Sequence, residues 1–78
     1  MQDLDLANQL RDRLALLLDI DASSIKNDVA FADLDVDSMM RLELISIVEK
    51  FVGYEIPEQD LPQLQTINHV LNYVGIPQ

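Results

Sequence analysis

The densest chemistry in the chain is a serine at the end of alternating aspartates, Asp33-Leu34-Asp35-Val36-Asp37-Ser38-Met39-Met40-Arg41-Leu42-Glu43. Three chemistries fit such a run. As a helix start, Asp37 or Ser38 accepts from otherwise unpaired N–H groups, and the positive end of the macrodipole favours acids nearby. On the Asp-Ser dipeptide alone this is the stronger reading. As a calcium loop, Asp33, Asp35 and Asp37 match positions one, three and five of an EF-hand. However, Ser38 stands where that loop needs glycine, and Leu44 where it needs a bidentate glutamate. As a covalent anchor, Ser38 presents its hydroxyl at a helix N-terminus, whose N–H groups and dipole suit a phosphodiester.

A hydrolytic serine fits poorly. Nucleophilic catalysis needs a base held by a third group, and the chain has a single histidine, His69, read as a helix residue with no assigned function. The G-x-S-x-G elbow is absent. With no cysteine and one histidine, neither a disulfide nor a zinc cluster stabilises the fold, and no metal site is expected. Fourteen acidic side chains against five basic ones leave a net charge of −9. That charge argues against nucleic acid or an anionic membrane as partner and for proteins with basic patches. The acidic, polar opening is unlike a signal peptide, and no apolar run approaches the ~18 residues of a membrane span, so a cytoplasmic protein is expected.

The elements that position Ser38 follow from periodicity. At 78 residues the chain is expected to be a single domain over residues 1–78, and its run from Met1 to just past Gly75 suggests a free-standing protein. From Leu4 to Ile20, Leu6, Leu10, Leu14, Leu17 and Leu18 recur at helical spacing. Ile20 to Asp37 is a long connection, with Ile25, Val29, Phe31 and Leu34 expected to turn inward. A second helix starts near Ser38 and stops at Gly53, with Leu42, Ile45, Val48, Phe51 and Val52 as its inward stripe. Leu44 and Ile47 widen that stripe, so this helix is expected to be central. Pro57 opens a short helical turn, Glu58 to Leu61, which Pro62 should end. Thr66 caps a last helix with Ile67, Val70, Leu71 and Val74 on its apolar face, closed by Gly75 and Pro77. Tyr73 is expected at the core edge with its hydroxyl reaching solvent. The fold class is therefore all-α, three main helices plus one short one.

The ordered string DSMMRLELISIVEKFVGYEIPEQDLPQLQTINHVLNYV strongly resembles the acyl carrier protein family. That family's pattern is Asp-Ser-Leu, a Val/Leu-Glu-Leu step, an acidic helix, Phe, Glu-Ile-Pro-acid, then Thr and a closing helix. Leu6 to Leu18 fits its first helix. The resemblance implies a four-helix carrier bundle with a long loop between helices 1 and 2. It also implies that a phosphopantetheinyl transferase places a covalent 4′-phosphopantetheine, taken from coenzyme A, on Ser38 beside Asp37 and Met39. Acyl intermediates of fatty-acid, polyketide or related biosynthesis then ride on the arm as thioesters, and the protein itself is no enzyme but a monomeric carrier. The alternative is a small acidic helical interaction or ion-binding module without an arm.

Further roles follow from the same resemblance. Asp35, Asp37, Glu43 and Glu49 make a negative stripe for acyl-loading, condensing and other synthase enzymes, and Met39, Leu42 and Ile45 add a small apolar contact, although periodicity alone puts Leu42 and Ile45 in the core. The acyl chain folds back among Ile56, Leu61, Leu64, Ile67 and Val70. Asp35 stands where the family usually has glycine, Met39 where it has leucine, Met40 where an acid is common and Lys50 at an often acidic position. These departures point to a specialised rather than a housekeeping carrier. The absence of Gly-Gly before Ser38 points away from peptidyl carriers.

Overall fold

A computed structural model describes residues 5–76. They form three α-helices, α1 (Leu6–Leu18), α2 (Ser38–Val52) and α3 (Ile67–Tyr73), joined by 3₁₀ segments at Ala22–Ser24, Phe31–Leu34 and Glu58–Gln63. Among the described residues there is no strand. With Glu58–Gln63 as the minor helix, this is the expected four-helix carrier bundle.

Helix α1 begins where the Asp5 carboxylate accepts from the Asn8 N–H, and ends at Asp19, whose φ of 56° is a left-handed stop. Leu6, Leu10 and Leu14, four residues apart, are fully buried, each worth roughly 1.5–3 kcal/mol relative to exposure. Leu17 and Leu18 are half-buried and Leu16 is exposed. It is α1, rather than α2, that is central: it packs on both α2 and α3, which scarcely touch each other. On its other side α2 faces Leu61, Leu64 and Val70 across an apolar gap, so its apolar breadth serves more than one neighbour, as expected.

The long connection is ordered by its own chemistry. Asp21 accepts from the N–H and hydroxyl of Ser23, and these bonds, the backbone one first, lower its pKa. Ile25 and Phe31 are buried as expected, Val29 and Leu34 half-buried, and Val36 joins the core. Two backbone bonds pin the loop to the start of α3: Phe31 N–H to the Gln65 carbonyl (2.8 Å) and Asn68 N–H to the Asn27 carbonyl (3.0 Å). Arg11 on α1 completes the anchorage, donating to the Ile25 carbonyl (3.1 Å) and to the side chains of Asn8 and Asn27.

Two further expectations are corrected. The buried line of α2 is Leu44 and Val48, with Phe51 half-buried, whereas Leu42 is 62% exposed. A helix apolar around most of its circumference has no unique phase in its sequence, and packing on α1 chooses it. The short helix runs through Pro62 to Gln63, because Pro62 lacks only a donor while its carbonyl accepts from the Gln65 side chain (2.7 Å). Tyr73 is half-buried at the core edge as expected, and its hydroxyl donates to Asp60 Oδ2 at 2.5 Å, a partner the sequence did not indicate, which ties that segment to α3. Thr66 caps α3 as expected, accepting from the His69 N–H at 3.0 Å, and Gly75 follows the helix at φ 82°. The stop expected at Pro77 lies outside the described residues.

Candidate attachment site and its surroundings

At the head of α2, capping and exposure fall to different residues. The Asp37 carboxylate accepts from the Met40 N–H (2.9 Å), and the Asp37 carbonyl accepts from the Arg41 N–H (3.0 Å). Asp37 therefore carries the whole cap. Ser38, the first residue of the helix, is exposed, and among the described residues its hydroxyl has no hydrogen-bond partner. A free hydroxyl beside the positive end of a fifteen-residue helix is well placed to bear a phosphodiester.

Asp35 sits two residues earlier in a left-handed conformation, φ 62°, its N–H bonded to the Ala32 carbonyl. The backbone turns sharply there before α2 departs. Asp33, Asp35 and Asp37 do not converge: among the described residues no group of three or more His, Asp or Glu side chains is placed to hold a metal ion. The calcium reading has no geometry behind it.

The remaining sequence candidates divide. Met39, at 76%, and Leu42 are exposed beside Ser38, and Asp35 and Asp37 flank it. Glu43 lies on the side of α2 that faces α1, where it accepts from Arg13 at 2.5 Å, with both side chains about two-fifths exposed. Glu49 is half-buried and accepts from the Ile56 N–H (2.9 Å), holding the chain after Gly53 against α2. Both glutamates thus already have partners within the chain.

The gap between α2 and the Glu58–Gln63/α3 side is an apolar cavity of about 60 Å³, floored by Leu10 and Phe31. Of the five residues read as an acyl pocket, Leu61, Leu64 and Val70 line it. Ile56 and Ile67 are buried in the core but form none of its walls. Leu44, Ile45 and Val48 supply the α2 wall. The volume exceeds the ~10–15 Å³ that holds one water but falls well short of a ~300–1,000 Å³ ligand pocket.

Sequence reasoning missed Arg13 and Arg41. Pairing of Arg13 with Glu43 joins two helices far apart in the chain and leaves no local signal. Arg41, which borders the cavity, was detectable from its place one turn beyond Ser38.

A family model described as a phosphopantetheine attachment site matches residues 8–74. The chain belongs to the acyl carrier protein family. An acyl carrier protein of Lactobacillus johnsonii is 33% identical over 75 residues, covering 95% of this chain and 94% of that one. Another, of Chlamydia caviae, is 33% identical over 72 residues, covering 91% and 94%. The cofactor is accordingly a covalently attached 4′-phosphopantetheine, and the exposed, unbonded hydroxyl at the head of α2 fits its phosphodiester.

Proposed function

We propose that Ser38 is the residue that carries the arm, and that the chain, working as one domain over residues 1–78, shuttles acyl intermediates for fatty-acid, polyketide or related biosynthesis without catalysing a step itself. One observation supports this above the others: Asp37 takes the cap and leaves the Ser38 hydroxyl exposed at the N-terminus of α2. A phosphopantetheinyl transferase would join that oxygen to the phosphate of coenzyme A and release the nucleotide part. The arm's thiol, when present, holds the acyl group as a thioester.

The chain's own residues would then guide the encounters. Asp35, Asp37 and Met39 surround the anchor, and Leu42 extends the exposed face along α2. Glu43 joins that face only where a partner's cation replaces Arg13, and Glu49 contributes least, because its carboxylate is held by the Ile56 N–H. Exposed ion pairs of this sort contribute ~0–1 kcal/mol each, so contacts with loading and condensing enzymes are brief and salt-sensitive. Among the described residues no helix is long and apolar enough to cross a membrane. We place the protein in the cytoplasm, acting as a monomer, and the aspartate in place of glycine at position 35 supports a specialised rather than a housekeeping carrier.

The test is intact mass after incubation with coenzyme A and a broad-specificity transferase. A gain of about 340 Da that vanishes in Ser38→Ala is expected. No gain with several transferases, or a gain that survives in the variant, would contradict the assignment.

A further inference from the structure

Among the described residues, Arg41 is the sole charged one on the walls of the apolar cavity. At about 100° per residue, it lies on the flank of α2 that leads from exposed Ser38 round to buried Val48. Its backbone N–H is committed to Asp37, and although the residue as a whole is half-buried, its guanidinium has no hydrogen-bond or ion-pair partner among the described residues. The other two arginines are engaged, Arg11 with three oxygens of the long loop and α1, and Arg13 with Glu43. In a chain of net charge −9, the arginine bordering the cavity is the one that lacks an acceptor among the described residues. A guanidinium presents five donors in a rigid fork matched to a carboxylate, and leaving such donors short of acceptors is costly when they are partly withdrawn from water.

We propose that the missing acceptor arrives with the cargo: Arg41 is a specificity-determining residue that favours acyl groups bearing a carboxylate, such as the half-thioester of a short dicarboxylic acid, over saturated chains of the same length. This rests on Ser38 as the anchor, since an arm rooted at the head of α2 is what brings cargo to this rim. Cavity size favours short cargo. With about 60 Å³ inside apolar walls, the methylenes of a four-carbon group would enter while its carboxylate stays outside them, within reach of the Arg41 side chain that borders the cavity. The phosphodiester of the arm offers the same anionic-oxygen chemistry, so the experiment must separate the two sources.

Prepare the apo, arm-only, succinyl-loaded and butyryl-loaded proteins, verify each by intact mass, and record both the melting temperature and the Arg41 Nε–H signal in a ¹⁵N spectrum. The succinyl form should melt about 4 °C above the butyryl form, and the Arg41 signal should move only on succinyl loading. In Arg41→Gln the two loaded forms should melt within about 1 °C of each other. Equal melting temperatures in the parent protein, or a difference that survives in Arg41→Gln, would overturn the inference. So would a signal that moves fully with the arm alone, which would assign the acceptor to the phosphodiester. Failure of any form to gain the arm's mass is read separately, before loading, and would overturn the anchor assignment and this inference with it.

Discussion

Asp35 and Asp37 look alike in the sequence, two acids before a serine, yet the backbone asks opposite things of them. Asp37 sits in extended conformation and its carboxylate satisfies the Met40 N–H. Replacing it with alanine should lower stability by about 1 kcal/mol, read as a lower urea midpoint at unchanged m-value. Asp35 occupies the left-handed region, which glycine adopts without penalty and aspartate tolerates at a cost. Asp35→Gly should therefore raise stability, by about 0.5 kcal/mol once the greater freedom of the unfolded glycine is offset. If both acids acted only as charges near the helix start, the two substitutions would change stability in the same direction. The left-handed turn also gives a physical reason for the glycine that the family usually places here. Lys50 has a local reason too, since it lies in the last turn of α2, where a cation complements the helix dipole.

Between elements, the most informative contact is the bond from Tyr73 on α3 to Asp60 in the Glu58–Gln63 segment. That bond, with lesser help from burial and the Asp60 charge, pushes the Tyr73 pKa up to about 12 from 10.0. A folded pKa above the unfolded one means that the bond stabilises the protonated form. Its contribution is complete below pH 10 and is lost as pH rises from about 10 to about 12. Urea midpoints of the parent and of Tyr73→Phe should therefore differ at pH 9 and converge toward pH 12; a constant gap would contradict the contact. This bond also marks the limit of what sequence could show. The caps at Asp37 and Thr66, the stops at Gly53 and Gly75 and the burial of Leu6, Leu10 and Leu14 were all legible, because each is set within a turn or two of chain. The exposure of Leu42, the continuation through Pro62 and the pairings Tyr73–Asp60, Arg13–Glu43 and Glu49–Ile56 were not, because another element decides each of them. For the candidate site the same division holds: the ordered motif marked Ser38, while the walls of the cavity required the helices in place.

At the scale of the whole molecule, one apolar core and one strong charge set the behaviour. Leu14 is fully buried in that core, and Leu14→Ala should cost about 2–5 kcal/mol, most of what a domain this small has to spare. Thermal melts should show a large drop or no cooperative transition. The charge of −9 acts outward and, on the proposed function, would steer basic partners to a surface whose individual contacts are weak. Raising salt should raise the KM of a phosphopantetheinyl transferase for this protein with little change in kcat, because encounter rather than chemistry is screened. Everything at this scale depends on where the arm is joined. Fragmentation mass spectrometry of the modified protein locates it among the serines of the chain, Ser23, Ser24, Ser38 and Ser46. The added mass is expected on Ser38 alone, and a modification at Ser23, Ser24 or Ser46 with Ser38 untouched would contradict the anchor assignment.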